Sequence, residues 1–367
     1  MKIRQINVYQ HALNVTGRAY KMSHSSSNSF ISTITEVITD TGVKGYGETC
    51  PVGPVYQQEH ALGAVAALSE MVPYLIGENP LLIETVNRKM NQTLFGHLYA
   101  KAAIDVALWD ICGKFYNCRV CDLLGGAINE KVPSYYAIGP ETPEDTVEIA
   151  VDKIGQGYNR LQLKVGGRDV EQDIESFHRL VEKIPKGIKL AADANRGWTT
   201  GETIRFSTAC RDIPLIIEQP CNTFEEIEAL KGKVYHPVFM DESALDLNAV
   251  LRCINAGAAE GFGLKLNRVG GLSAMRTIRD VCRSRNLPHT CDDSWGGDII
   301  AAACVHIGAT VEPHLLEGVW IADSYLDHHY DETNPVQVKN GFINVPENPG
   351  LGVVPDVSIF GSPVFSV

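Results

Sequence analysis

From about Val132 the chain repeats one unit: a short apolar run, an amphipathic stretch of about 12 residues, and another apolar run. The runs are VPSYYAIG, RLQLKVG, IKLAADAN, IPLIIEQP, PVFMDES, GFGLKLN, LPHTCDD and ATVEPHL. Units of this kind build a parallel sheet, either closed or open. Eight of them, spaced roughly 20–30 residues apart, predict a (β/α)8-type barrel. No GxGxxG follows a first strand and no GxxxxGK[ST] occurs, so the nucleotide-binding open sheets find no support.

The residues before this rhythm behave differently. SFISTITEVITDTGVKGYGET alternates, turns at Asp40-Thr41-Gly42 and alternates again, which predicts a hairpin, with GYG as a hairpin glycine pair. HALGAVAALSEMVPYLIG and YAKAAIDVALWDICGKFY carry apolar residues at helical spacing, with a break expected at Gly113. Residues from 322 onward are rich in Pro, Gly and Asn and read as an irregular tail. The expected organisation is an α+β capping domain over residues 1–125, completed by 322–367, and a barrel over 126–321.

Composition narrows the function classes. The chain has 367 residues, 44% hydrophobic and 21% charged, enough for a full core. A net charge of -12 and the absence of any Lys/Arg run argue against nucleic acid. No stretch approaches the roughly 18 apolar residues of a membrane span, so no membrane partner is expected. The N-terminus MKIRQINVYQ alternates like a strand and has no apolar core of a signal peptide. Ten cysteines are scattered inside apolar patterns, as in a reduced, cytoplasmic protein. Cys118 and Cys121 form a lone CxxC, short of the four ligands of a zinc site.

Barrel chemistry sits where strands end. The predicted strand ends carry Gln162 and Lys164, then Asp193 and Asn195, Glu218 and Gln219, Asp241 and Glu242, Lys265 and Asn267, and Asp292 and Asp293. Asp193, Glu218 and Asp241 lie 25 and 23 residues apart, one βα repeat each time. Neighbouring strands are about 5 Å apart, so these carboxylates converge. One such acid alone reads as a helix cap. Three together repel, and a hard divalent cation with oxygen ligands, Mg²⁺, resolves the repulsion. Lys164 lies one strand before the acids and Lys265 one strand after. Either could snorkel or pair with Asp193 or Asp292. As a pair they flank the metal, whose charge lowers an amine's pKa and leaves it free to take a proton from carbon.

With these residues in place the chain resembles the enolase superfamily, in its muconate-lactonizing-enzyme-like branch. GYGET, AKAAIDVALWD, LLGG, LKVGG, DAN, IEQP, DES, LKLNRVGG and DDSWGG follow the family's order over nearly the whole length. The resemblance implies Mg²⁺ on Asp193, Glu218 and Asp241 and an opposed acid/base pair at Lys164 and Lys265. The mandelate-racemase branch has a histidine at the end of the seventh strand; His289 sits too early for it. The branch usually has Lys-x-Lys on the second strand, where this chain has Gln162-Leu163-Lys164. Gln162 is instead a candidate for the substrate carboxylate.

The resemblance also implies a small carboxylate substrate, a homo-oligomer, and capping loops 20–30 and 50–60 over the barrel mouth. ETCPVGP followed by Tyr56, CDDSWGGDIIAAACVHIGA and EGVW are similar to members that act on hydroxyproline-type ring amines. Tyr56, Asp292 and Trp320 would then hold the cationic amine by charge and cation–π contact. Two outcomes are open: dehydration of a hydroxylated imino acid, and 2-epimerisation of the imino acid or of a hydroxyproline or proline betaine. Few aromatics in the 20–30 loop favour the free imino acid. A dehydratase for acyclic sugar acids would call for more basic loops, and a non-catalytic scaffold has no reason to keep both lysines and three acids.

Overall fold

The computed structural model describes residues 1–17, 19–23 and 25–367, so Arg18, and His24 of the 20–30 loop, lie outside the described residues. The chain opens with β1 (Ile3–Asn14), a small hairpin of β2 (Tyr20–Lys21) and β3 (Ser26–Ser27), then β4 (Ser29–Thr39) and β5 (Lys44–Thr49). β1 and β4 pair antiparallel from Ile3 opposite Thr39 to Asn14 opposite Ser29. The β4–β5 turn falls at Asp40–Gly42, as the sequence predicts, with Gly42 at φ 84°.

Gly45 and Gly47 are not part of that turn. They sit inside β5, where a helix crosses the strand. A Cβ on Gly47 would stand 1.7 Å from the Ala103 carbonyl oxygen, and one on Gly45 2.3 Å from that of Ala107. These glycines permit a close backbone approach. The helices are α1 (Ala61–Met71), α2 (Ile83–Thr93) and α3 (Leu98–Tyr116). α1 ends earlier than its apolar pattern, because Pro73 starts a single 3-10 turn at Val72–Leu75. α3 runs unbroken through Gly113. The glycine there admits the tail, since a Cβ would meet the Gly350 Cα at 2.6 Å.

After β6 (Lys131–Pro133) come the barrel strands: β7 (Tyr136–Ile138), β8 (Arg160–Lys164), β9 (Lys189–Asp193), β10 (Leu215–Glu218), β11 (Val238–Met240), β12 (Gly261–Phe262), β13 (His289–Thr290) and β14 (Leu316–Gly318). They pair in parallel and in chain order. The sheet curls until its ends meet, where the Val319 N–H donates to Pro133 O (2.9 Å) and Ser134 Oγ to Val319 O (2.9 Å). The expected eighth run, ATVEPHL, is a turn and not a strand. Glu312 O there accepts the N–H groups of Leu315 and Leu316, and β14 begins only at Leu316. The intervening helices start at their own caps: Thr142 with Pro143 behind it, Asp169, Thr199 with Glu202, Thr223 with Glu226, and Asp246.

The tail adds β15 (Val338–Lys339), β16 (Phe342–Asn344) and β17 (Phe365–Ser366). β16 pairs with β6, and β17 with β1, giving a sheet of order β17-β1-β4-β5. Buried carboxylates fasten the parts together. Glu48 on β5 accepts the Gly297 and Ile300 N–H groups (2.8 and 3.0 Å) at the start of helix Asp298–Gly308, and the Tyr330 hydroxyl (2.9 Å) of the tail. Asp110 on α3 accepts the N–H groups of Tyr46 and Leu351, each at 2.9 Å. All ten cysteines are free thiols, nine of them buried. No helix among the described residues is long and apolar enough to cross a membrane.

Gly47→Ala should lower stability by about 3 kcal/mol or more, or stop soluble expression, because the backbone of α3 cannot yield. Gly155→Ala, at a helical glycine with nothing within 4 Å of a new Cβ, should be neutral or stabilising by up to about 1 kcal/mol. Urea denaturation of both variants checks the contrast.

Candidate active site

Three parallel strands bring the acids together. Glu218 at the end of β10 lies in register with Asp193 at the end of β9, and Asp241 directly follows β11. The three buried carboxylates each offer an oxygen within 4.8 Å of the others. None of them caps a helix, since each following helix has its own cap a few residues on.

Cations ring the cluster. Lys164, at the end of β8 and in register with Asp193, ion-pairs with the Asp193 carboxylate. Lys265 stands 3.5 Å from Asp241 Oδ2 and 3.6 Å from Asp292 Oδ2. Both lysines are buried. Arg268, one turn beyond Lys265, donates to Asp241 Oδ1 (2.5 Å) and to Tyr56 Oη (2.9 Å). Tyr56 in turn donates to Asp241 Oδ2 at 2.9 Å, so the capping domain reaches an acid of the cluster. Gln162 lies beneath, its Nε2 donating to Asp193 Oδ2 (2.9 Å) and Glu218 Oε1 (3.3 Å). Arg160 is 3.8 Å from Glu218.

These contacts leave Glu218 under-compensated. Burial pushes the Glu218 carboxyl well above its ordinary range, and the charges of Asp193 and Asp241 push it further. Among the described residues Glu218 Oε2 has no hydrogen-bond partner, and neither has Glu242 Oε2 beside the cluster. Asp241 differs: burial pushes it up, but Arg268 and Lys265 outweigh this and hold it below the usual carboxylate range. Three convergent oxygen donors, one with an orphaned atom, fit a small hard dication such as Mg²⁺.

The expected lowering of the lysine pKa values belongs to a metal-bound site; without a cation the carboxylates act on the lysines the other way. Burial pulls each down, yet Asp193 with Tyr20 at Lys164, and Asp241 with Asp292 at Lys265, hold both well above the ordinary lysine range. The carboxylates that would grip a cation are the same groups that now hold these protons. Charge drawn to a cation is charge no longer available to the lysines.

A small, tight cavity opens over the cluster, lined by Lys164, Lys265, Gln162, Tyr56, Tyr20 and Trp320 among others. Of the residues expected to touch a substrate, Tyr56, Gln162 and Trp320 border it. Asp292 is tied elsewhere: its carboxylate accepts from Tyr135 Oη (2.7 Å), Thr290 Oγ1 (2.6 Å) and the Trp320 N–H (2.7 Å). Asp292 therefore anchors the Trp320 backbone and sits close to Lys265.

Sequence reasoning missed three participants. Arg268 was visible inside LKLNRVGG, one helical turn past Lys265. Tyr135 and Tyr20 carried no pattern at all. Tyr20 packs edge-on against Trp295 (centroids 4.7 Å apart) and Tyr325 (5.2 Å), with Trp320 at 6.2 Å. The 20–30 loop thus contributes an aromatic wall that its serines concealed.

Comparisons with known proteins place this geometry. Residues 5–125 match the mandelate racemase / muconate lactonizing enzyme N-terminal domain, and residues 145–359 match the enolase C-terminal domain-like family. The chain is 38% identical over 365 residues, 99% of each chain, to a cis-3-hydroxy-L-proline dehydratase of Roseibium aggregatum. It is 26% identical over 363 residues, 96% of this chain and 95% of the relative, to an N-succinyl-L-Arg/Lys racemase of Bacillus cereus. A crystal structure of an enolase-superfamily member from Roseovarius nubinhibens, complexed with magnesium, has a TM-score of 0.95 at 32% identity, covering 100% of this chain and 99% of that one.

Mg²⁺ should raise the melting temperature, by about 2.7 kcal/mol of added stability at a hundred times its dissociation constant. Glu218→Gln removes one of the repelling charges. The metal-free variant should melt no earlier than the metal-free wild type, while the Mg²⁺-dependent rise disappears. Calorimetry with and without EDTA measures both.

Proposed function

This chain belongs to the enolase superfamily, in the mandelate racemase / muconate lactonizing enzyme family, and from that premise we propose that it removes the α-proton of a hydroxyproline-type imino acid and expels water from the adjacent carbon. The observation that carries the reading is the placement of two buried lysines on either side of the acid cluster, facing one small cavity. The 38% identity to a cis-3-hydroxy-L-proline dehydratase supports this substrate class.

In this reading Asp193, Glu218 and Asp241 hold Mg²⁺. A dication there supplies positive charge beside the substrate carboxylate, where negative charge builds as the α-proton departs. One lysine takes that proton at its neutral Nζ, and the other holds a proton over the opposite face of the ring. Arg268 and Tyr56 keep Asp241 ionised and fixed in position. Gln162 steadies Asp193 and Glu218 from below. Tyr56 and the 20–30 loop close the cavity and limit water.

The aromatic wall favours a second reading. Tyr20, Tyr56, Tyr135 and Trp320 all line the cavity, and such surfaces suit a quaternary ammonium. With lysines on both faces, 2-epimerisation of a hydroxyproline or proline betaine uses the same machinery. A homo-oligomer and a cytoplasmic setting accompany either reading.

Incubation with Mg²⁺ in D₂O separates them by NMR. cis-3-Hydroxy-L-proline should take up deuterium at the α-carbon and yield a pyrroline carboxylate; exchange only with the betaine would favour epimerisation. Lys164→Ala and Lys265→Ala should each lower turnover by about 10²-fold or more. One of the two should retain exchange on one face, and the enantiomeric substrate should reverse which one.

A further inference from the structure

The 50–60 loop joins β5 to α1 and brings Val52 and Tyr56 to the cavity wall. Its own bonding is local: the N–H groups of Tyr56 and Gln57 both donate to the Gly53 carbonyl (3.0 and 3.2 Å). Two barrel arginines hold it down at different places. Arg268 donates to the Tyr56 hydroxyl inside the site (2.9 Å). Arg196 takes hold of the loop backbone, its Nη2 donating to the Val55 carbonyl (2.8 Å) and to the Tyr56 carbonyl (3.0 Å). Gln57 Nε2 adds a longer reach to the Glu242 carbonyl (3.5 Å). Arg196 stands behind the loop and not on the cavity wall. Its Nε lies 3.9 Å from Glu242 Oε1, an oxygen that also accepts from Asn195 Nδ2 (3.1 Å).

The backbone at Arg196 is costly. Arg196 has φ 70° and Asn195 before it φ 44°, the left-handed region that residues with a Cβ enter at an energetic cost. The turn that follows β9 fixes them there. The Arg196 N–H donates to the Gln219 carbonyl (2.8 Å), and the Gly197 N–H to the Ala194 carbonyl (2.7 Å). A glycine would take this conformation freely. An arginine held in it at the rim of a reaction cavity points to work done by the side chain, and the work on view is its grip on two carbonyls of the capping loop.

We propose that Arg196 is a positioning residue that sets the resting place of the 50–60 loop over the cavity and so tunes substrate affinity. Without the grip, the loop is seated in a fraction of the molecules, substrate must seat it in the rest, and apparent affinity falls by that fraction. Once the loop is seated, Lys164 and Lys265 stand as before and Arg268 keeps its own hold on Asp241 (2.5 Å), so turnover persists. The choice of substrate in the test rests on the dehydratase reading; the grip on the loop does not.

The test uses the full chain loaded with Mg²⁺. Arg196→Gly removes the grip and the backbone cost together, so the variant should melt within about 3 °C of the wild type or above it. Its KM for cis-3-hydroxy-L-proline should rise about tenfold with kcat kept within about threefold. Without substrate, chymotrypsin should cut after Tyr56 about tenfold faster than in the wild type, the site being mapped by mass spectrometry. Arg196→Lys keeps a charged N–H donor and should recover part of both effects. Unchanged KM and cutting in Arg196→Gly, a loss confined to kcat, or a fall in melting temperature beyond about 5 °C would each make Arg196 an ordinary structural residue and overturn the proposal. If the wild type does not act on cis-3-hydroxy-L-proline, the substrate reading fails, while the contrast in cutting still decides the role of Arg196.

Discussion

An ionised carboxylate inside a protein must find compensation, and the kind it finds separates structure from chemistry in this molecule. Glu48, Asp105, Asp110 and Asp298 are all buried, and each accepts N–H or hydroxyl donors from another part of the chain. Their acceptor capacity is spent on joining capping sheet, barrel helix and tail. Asp193, Glu218 and Asp241 face one another instead, and Glu218 among them has an oxygen with no donor among the described residues. Packing the latter set at the mouth of the barrel costs stability, which a bound dication would recover.

The same contrast explains what could be read from the sequence. The barrel was legible because a βα repeat is a local pattern, and the acid cluster was legible because one acid per repeat maps onto neighbouring strand ends. GYGET and AKAAIDVALWD were legible as motifs but not as contacts. Their glycines and acids answer to partners more than 50 residues away in sequence, as Gly47 does to Ala103 and Asp110 to Leu351. Local propensity misled in the same way at Gly113. A glycine inside a helix reads as a break, whereas here it makes room for the Gly350 backbone. The eighth strand was misplaced because ATVEPHL is apolar enough for a strand, while its carbonyls are engaged in a turn.

The capping domain is where legibility fell furthest. Tyr56 meets Asp241 and Arg268 across 185 and 212 residues of sequence, and no periodicity announces such a pair. The 20–30 loop looked small and polar because its serines outnumber its aromatics. Yet a single tyrosine on a hairpin, set against Trp295, Trp320 and Tyr325, changes the character of the cavity wall. The barrel thus carries the charged groups, and the capping loops supply aromatic surface to the cavity above them.

Charge counting shows how closely acids and cations are matched at the barrel mouth. Asp193, Glu218 and Asp241 bring three potential negative charges, against Lys164, Lys265, Arg268 and Arg160 within ion-pairing distance. In this balance the acids hold the lysine protons tightly, and a protonated lysine cannot act as a base. On the proposed reading, a dication held by the same carboxylates together with one substrate carboxylate would leave the site one unit more positive. That excess is most easily relieved by loss of a proton from a buried amine. On the proposed reading, the lysine that gave it up would be the neutral base. Tyr56 donates to Asp241, so one carboxylate of the acid cluster is shared between the barrel and the capping loop.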